Sequence, residues 1–207
     1  MVTHVAALLL AAGQSRRMGS CKQLLPLEGK TVLARSLETL LAGGIGEVIV
    51  VAGPAGDAVA RAALEYPARV VHTSDPDGDM ANSIRTGRDA LSAGADGVVI
   101  ALCDYPLVTQ KTIAELIAAH GREREKIWIP LHNGRKGHPL LLPRPLLDEL
   151  NVLPTLRDLV RSDPARVRLL EVADPGVLLD MDTPEDYRQI VELSALRDAS
   201  HSSYLNT

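Results

Sequence analysis

The sequence predicts a three-layer α/β fold: a Rossmann-like, mainly parallel but mixed and twisted sheet with helices on both faces. Three observations predict it. Short continuous apolar runs alternate along the chain with amphipathic helical patterns, the order that generates βαβ crossovers. The core must be aliphatic, because the 207 residues include no Phe and only 2% aromatics. Leu, Val, Ile and Ala must therefore fill it, as suits strands buried on both faces. After Trp128, finally, two strand-like runs follow each other without an intervening helix, which makes the sheet mixed.

The runs Val5–Leu10, Val48–Val51, Val98–Leu102, Ile127–Leu131 and Pro139–Leu142 read as buried strands, with Arg69–His72 and Arg168–Val172 as weaker candidates. Between them, Lys30–Ala42 places Val32, Leu33, Ser36, Leu37, Leu40 and Leu41 on one helical face, and Gly43-Gly44 stops it. Asp57–Leu64, Ala81–Ala93, Thr109–His120 and Thr155–Arg161 carry similar patterns. The segment from His132 to Gly137 reads as a loop or hairpin, and Arg122–Lys126 as a solvated turn. Trp128, inside an apolar run, reads as core. No linker or repeat interrupts the chain, so residues 1–198 form one expected domain and the polar residues 199–207 a flexible tail.

Composition narrows the function classes. The formal net charge is −4 with both signs interspersed, which leaves no basic footprint for nucleic acid. The longest apolar run, Val5–Ala12, is too short to span a bilayer and lacks the flanks of a leader, so the expected location is the cytoplasm. Cys21 and Cys103 have no metal or disulfide spacing and read as small packing residues. The other histidines (His4, His72, His120, His132, His201) are scattered without ligand spacing.

In open α/β sheets, ligands collect at the carboxyl ends of strands. The first such end is Leu10-Ala11-Ala12-Gly13-Gln14-Ser15-Arg16-Arg17-Met18-Gly19, followed by Lys22. Small residues let backbone N–H groups approach a ligand, Ser15 adds a hydroxyl, and Arg17 and Lys22 bring charge against a polyphosphate. It is neither a GxGxxG fingerprint nor a Walker loop, since Gly19 is followed by Ser20 and Cys21. The second end is Leu102-Cys103-Asp104-Tyr105-Pro106. Asp104 at the tip of a buried strand needs a partner, either a turn to cap or a cation to bind, and Thr109 is better placed to cap the next helix. In Asp180-Met181-Asp182-Thr183-Pro184-Glu185-Asp186, Thr183 reads as N-cap, Pro184 as N1 and Asp186 as N3, a relative of the capping box. That assignment leaves Asp180 and Asp182 unexplained, and either is suited to share a hard cation with Asp104.

Taken together, these segments resemble the molybdenum-cofactor type of nucleotidyltransferase, the MobA-like NTP transferases of the glycosyltransferase-A-like group. The resemblance runs through LAAGQSRRMG…K, DMANSIRTG (Asp79–Gly87), CDYPLV (Cys103–Val108), GHP (Gly137–Pro139) and DMDTPEDY, in the family's order. It implies a fold of the nucleotide-diphospho-sugar transferase type. It further implies that Leu10, Ala11, Ala12, Gly13 and Ser15 line the nucleotide and that Arg17 and Lys22 hold its triphosphate. Asp104 with Asp182 would bind Mg²⁺, and Arg17, Lys22 and Asp104 would carry the catalysis. Met80, Asn82, Ser83 and Arg85 would form the next wall of the nucleotide pocket, and Gly137, His138 and Pro139 would face the acceptor. His138, before Pro in a strand-like run, also suits a simple packing role. The Leu-Ala-Ala-Gly form resembles the cytidylyl branch, so CTP is favoured over GTP.

The implied reaction is Mg²⁺-dependent transfer of CMP to a phosphorylated acceptor, the molybdopterin cofactor, with release of pyrophosphate and a client molybdoenzyme downstream. Two alternatives stay open: a sugar or polyol phosphate as acceptor, and a nucleotide-binding protein that delivers cofactor without turnover. Asp79 stands where relatives carry Gly, Tyr105 where they carry Met, Gln or His, and Leu150–Arg168 replaces a segment common after GHP.

Overall fold

The computed structural model describes residues 4–13, 18–54, 56–74 and 79–204, of which 198–204 by their backbone. In chain order the elements are β1 (Val5–Ala11), β2 (Pro26–Leu27), β3 (Lys30–Thr31), α1 (Val32–Ala42), β4 (Glu47–Ala52), α2 (Asp57–Ala63), β5 (Arg69–His72), α3 (Met80–Asp89) and β6 (Gly97–Leu102). There follow α4 (Gln110–Arg122), β7 (Ile127–His132), β8 (Arg135–Lys136), β9 (Leu140–Pro143), α5 (Leu156–Ser162), β10 (Val167–Glu171) and α6 (Pro184–Tyr204). Short 3₁₀ helices at Lys22–Leu24, Arg144–Asn151, Pro164–Arg166 and Pro175–Leu178 fill the connections.

The main sheet has the order β10-β7-β9-β6-β1-β4-β5, with β8 folded back on β7. β1 lies parallel to both β6 and β4, β4 to β5, and β10 to β7. Only β9 and the hairpin strand β8 run the other way. The expected mixed, mainly parallel sheet is therefore present. The hairpin turns on Asn133 (φ 49°) and Gly134 (φ 74°), the double left-handed pair that matches strand twist in a tight β-turn.

Both faces of the central strands are buried. In β1, Val5, Ala7, Leu9 and Ala11 join one core with α1, α2, α4 and Ile190 of α6, while Ala6 and Leu8 join the other with α3 and α5. This two-sided burial is why the strand reads as an unbroken apolar run. Trp128 is core, and its indole N–H donates to the Glu123 carbonyl.

Helix starts follow local chemistry. Thr31, Thr109 and Thr155 each accept, at the side chain, from the N–H three residues on, filling an otherwise orphaned donor. The pattern read from Lys30 begins as helix only at Val32, because Lys30 and Thr31 pair with Pro26 and Leu27 across a turn at Glu28 and Gly29. At α6 the capping box is reciprocal: Asp186 N–H donates to Thr183 Oγ1, and Asp186 Oδ2 accepts from Thr183 N–H. That helix continues to Tyr204, into residues 199–207 where the tail was expected.

Candidate active site

Adjacent parallel strands β1 and β6 end together, with Leu10 opposite Leu102 and the Cys103 N–H donating to the Leu10 carbonyl. The turn after β1 and the turn after β6 therefore open on the same side of the sheet. Gln23, almost fully buried, fixes the first turn by donating its amide to the carbonyls of Ala11 and Gly13, both at 3.0 Å. Its neighbour Lys22 is sent across to the second turn.

Lys22 is the centre of the site. Its Nζ lies 2.7 Å from Asp104 Oδ2, 3.0 Å from Asp182 Oδ1 and 3.3 Å from the Met181 carbonyl. Residues 82 and 160 positions away along the chain thus share one ammonium. Burial works against the charge on Lys22, but Asp104 and then Asp182 outweigh it and raise the amine above its ordinary value. A main-chain bond from Met181 N–H to the Asp104 carbonyl (2.9 Å) locks the two carboxylate-bearing segments together. Of the two late aspartates, Asp182 is the one that reaches Lys22, whereas Asp180 is exposed.

The segment carrying Asp182 is anchored by a buried carboxylate, Asp174, only 6% exposed. Its Oδ2 accepts from the Thr109 N–H and from the hydroxyls of Thr109 and Thr112, and its Oδ1 from the Gly176 N–H and Arg197. The start of α4, the 3₁₀ helix at Pro175–Leu178 and α6 are joined through this one side chain. The approach is close: a Cβ on Gly176 would collide with the Leu107 carbonyl, and one on Gly137 with the Val177 carbonyl.

On the other flank the His138 ring sits 5.1 Å from the Tyr105 ring, tilted by 49°. Burial lowers the His138 value, with Asp104 opposing, so the imidazole is neutral near pH 7. Its Nδ1 is buried with no hydrogen-bond partner. Burial, then the charges of Asp180, Asp104 and Asp182, push the Tyr105 phenol up to about 12. Burial first, and then the charge of Asp104, pushes the Cys103 thiol up to about 12 and leaves it unreactive. Below the two rings lies a mainly apolar pocket of about 330 Å³, counting its open mouth, lined by Leu9, Ser36, Leu40, Tyr105, Ile113 and His138 among others.

The structure brings Leu10, Ala11, Ala12, Gly13, Lys22, Asp104 and Asp182 to one end of the sheet, with Gly137, His138 and Pro139 beside them. Ser15 and Arg17 lie outside the described residues. At the start of α3, Met80 is exposed, and Asn82 donates to the Thr73 hydroxyl at 2.8 Å. Of the same wall, Ser83 is packed at 5% exposure, and Arg85 donates to the Leu150 carbonyl, tying α3 to the 3₁₀ helix at Arg144–Asn151. Asp79 is the N-cap of α3, accepting from Asn82 N–H at 2.7 Å, which accounts for an acidic residue there. Sequence reasoning missed Gln23 and Asp174. Asp174-Pro175-Gly176 is a turn pattern that pointed to a local bond, while nothing in the sequence pointed to Thr109 and Thr112.

Comparison with known proteins bears on family and fold. The family model of the MobA-like NTP transferase domain matches residues 7–168. The nicotine blue oxidoreductase of Paenarthrobacter nicotinovorans is 32% identical over 90% of this chain and 96% of its own. The molybdenum cofactor cytidylyltransferase of Escherichia coli is 27% identical over 90% and 95% of the two chains. A crystal structure of Rv0371c from Mycobacterium tuberculosis in complex with manganese superposes with a TM-score of 0.78 at 32% identity, covering 93% of this chain and all of that one.

Proposed function

The chain belongs to the MobA-like NTP transferase family, and from that premise we propose that this nucleotidyltransferase moves CMP from CTP to a phosphorylated acceptor of the molybdopterin type. The observation that carries the reading is the cluster of Lys22, Asp104 and Asp182 at the mouth of the β1 and β6 turns. A cation and two carboxylates converging at such a place suit a metal–polyphosphate and little else. One relative carries an oxidoreductase name, but a lysine held between two carboxylates has no evident part in hydride transfer. CTP rather than GTP is supported by the Leu-Ala-Ala-Gly turn and by the cytidylyltransferase relative.

In the proposed step an acceptor phosphate oxygen attacks the α-phosphorus in line. The new P–O bond forms as the bond to the bridging oxygen breaks, and the electron pair leaves with pyrophosphate. A phosphate monoester is already ionised at neutral pH, so no protein base is required. Lys22, with Arg17, would stabilise the charge passing to the leaving group, while the turn at Ala11–Gly13 orients the nucleotide. The neutral His138 and the Tyr105 ring would position the acceptor over the apolar pocket.

The carboxylates fit a divalent ion such as Mg²⁺, because Asp104 and Asp182 already converge on a single cation. Among the described residues no group of three or more His, Cys, Asp or Glu is suited to hold a metal, so the remaining ligands would be phosphate oxygens and water, the usual arrangement for Mg²⁺. When bound, the ion supplies charge neutralisation on the phosphate oxygens.

Pyrophosphate release with each of CTP, GTP, ATP and UTP, with molybdopterin, a sugar phosphate or a polyol phosphate as acceptor, tests the proposal. CTP with molybdopterin should turn over fastest. A preference for GTP removes the cytidylyl assignment, a preference for another acceptor removes the molybdopterin assignment, and binding without turnover would leave a delivery protein. Among the described residues no helix is long and apolar enough to cross a membrane, and we place the reaction in the cytoplasm.

A further inference from the structure

We infer that Lys22 is a placeholder cation, which must leave Asp104 and Asp182 when a metal–triphosphate enters, so that metal and nucleotide bind as a coupled pair. The inference rests on the nucleotidyl-transfer reading above and adds to it an order imposed by the protein itself.

An ammonium has three N–H bonds, and among the described residues Lys22 finds an acceptor for each: Asp104 Oδ2, Asp182 Oδ1 and the Met181 carbonyl. A lysine waiting for phosphate would hold a donor toward the incoming ligand. Here the ammonium is turned toward the protein, and Lys22 as a whole is 9% exposed. It serves a triphosphate only by giving up a carboxylate.

The carboxylates are under the mirror constraint. A divalent ion coordinated by the oxygens that Lys22 now holds would stand next to the ammonium, and like charges in a partly desolvated cleft repel strongly. A metal arriving alone therefore strands a buried lysine without an anion, an unfavourable state. A metal arriving with a triphosphate provides the anion that lysine needs. The exchange is then balanced: carboxylates pass from ammonium to metal, and ammonium passes from carboxylates to phosphate. By linkage, whatever factor nucleotide contributes to metal affinity, metal contributes equally to nucleotide affinity. While nucleotide is absent, the same lysine keeps two neighbouring carboxylates from repelling one another.

The test measures Mn²⁺ binding to the intact chain without nucleotide, by electron paramagnetic resonance. Lys22→Gln and Lys22→Met remove the competing charge and should tighten Mn²⁺ binding on the order of 10-fold or more, within the usual span of such couplings. Lys22→Arg keeps the charge and should bind Mn²⁺ as weakly as the wild type. Unchanged or weaker binding in both neutral variants overturns the inference, as does equal tightening in the arginine variant. Circular dichroism verifies folding. Should neither neutral variant fold, acetylation of Lys22 in the wild-type protein decides: its rate should rise in saturating Mn²⁺ alone and fall when CTP is added. A rate unmoved by Mn²⁺ overturns the placeholder. A chain that releases pyrophosphate without these effects loses the placeholder alone, whereas one that shows them but turns over no nucleotide loses the transfer reading alone.

Discussion

Replacing Asp174 by Asn should destabilise the fold far more than any change at the visible site. The carboxylate accepts from five donors: two backbone N–H groups, two threonine hydroxyls and Arg197. An amide of the same shape can accept at one end only. With its NH₂ toward Thr109 it faces the fixed Thr109 N–H, and with its NH₂ toward Gly176 it faces the Gly176 N–H and Arg197. Hydroxyls can rotate to adapt, whereas backbone donors and a guanidinium cannot. Breaking a buried, hydrogen-bonded charge of this kind costs roughly 3–5 kcal/mol. Arg197 is 31% exposed at its side chain, and solvent screening puts the effect toward the lower end. At about 2–4 °C per kcal/mol for a chain of this size, Tm should fall by roughly 10 °C. Differential scanning calorimetry of wild type and Asp174→Asn measures it directly. A fall of less than about 2 °C would mean that this carboxylate does not hold α4, α6 and the Asp182 segment together.

Other outcomes follow from the same geometry. Asp104→Ala should lower pyrophosphate release on the order of 10²-fold, while Asp180→Ala, which removes an exposed carboxylate that does not reach Lys22, should change it little. Gly137→Ala forces a Cβ against the Val177 carbonyl and should cost about 1–3 kcal/mol in urea denaturation, with a raised KM for the acceptor as His138 shifts. His120 is fully buried, both its ring nitrogens lack hydrogen-bond partners, and burial, against the opposing charge of Asp96, holds it below the ordinary 6.5. The unfolded chain therefore binds the extra proton first. Its contribution is complete above 6.5 and is lost as the pH falls through the depressed folded value, so urea midpoints should drop on acidification, and His120→Gln should flatten that slope.

Much of this was legible from the sequence for a physical reason. The strands are buried on both faces, so their apolar runs stand out; β1, β4, β6 and β7 each extend one residue or less beyond either end of the run that predicted them. The capping threonines and the box at Thr183 act over three residues, a range that sequence displays. What stayed hidden was pairing over distance. An unbroken apolar run carries no strand direction, and nothing in Pro139–Leu142 shows that β9 lies between β6 and β7. The aspartates were legible as residues in need of a partner, but their bond to Lys22 depends on how three turns meet. Arg85 lay in a segment that resembled a nucleotide wall, yet the same guanidinium reaches the Leu150 carbonyl, and a motif cannot tell those two destinations apart.

The place of β9 also governs how the chain can be assembled as it leaves the ribosome. β7 is made first, but it meets the body of the sheet through β9, which pairs with β6 on one side and with Trp128 of β7 on the other. Until residue 143 has emerged, β6 and β7 each present an unpaired edge, and β10, which docks on β7, is made later still. The first half of the protein can close around β1 early. The second half is a wedge driven in late, and nascent chains paused between β7 and β9 are the ones a chaperone should find.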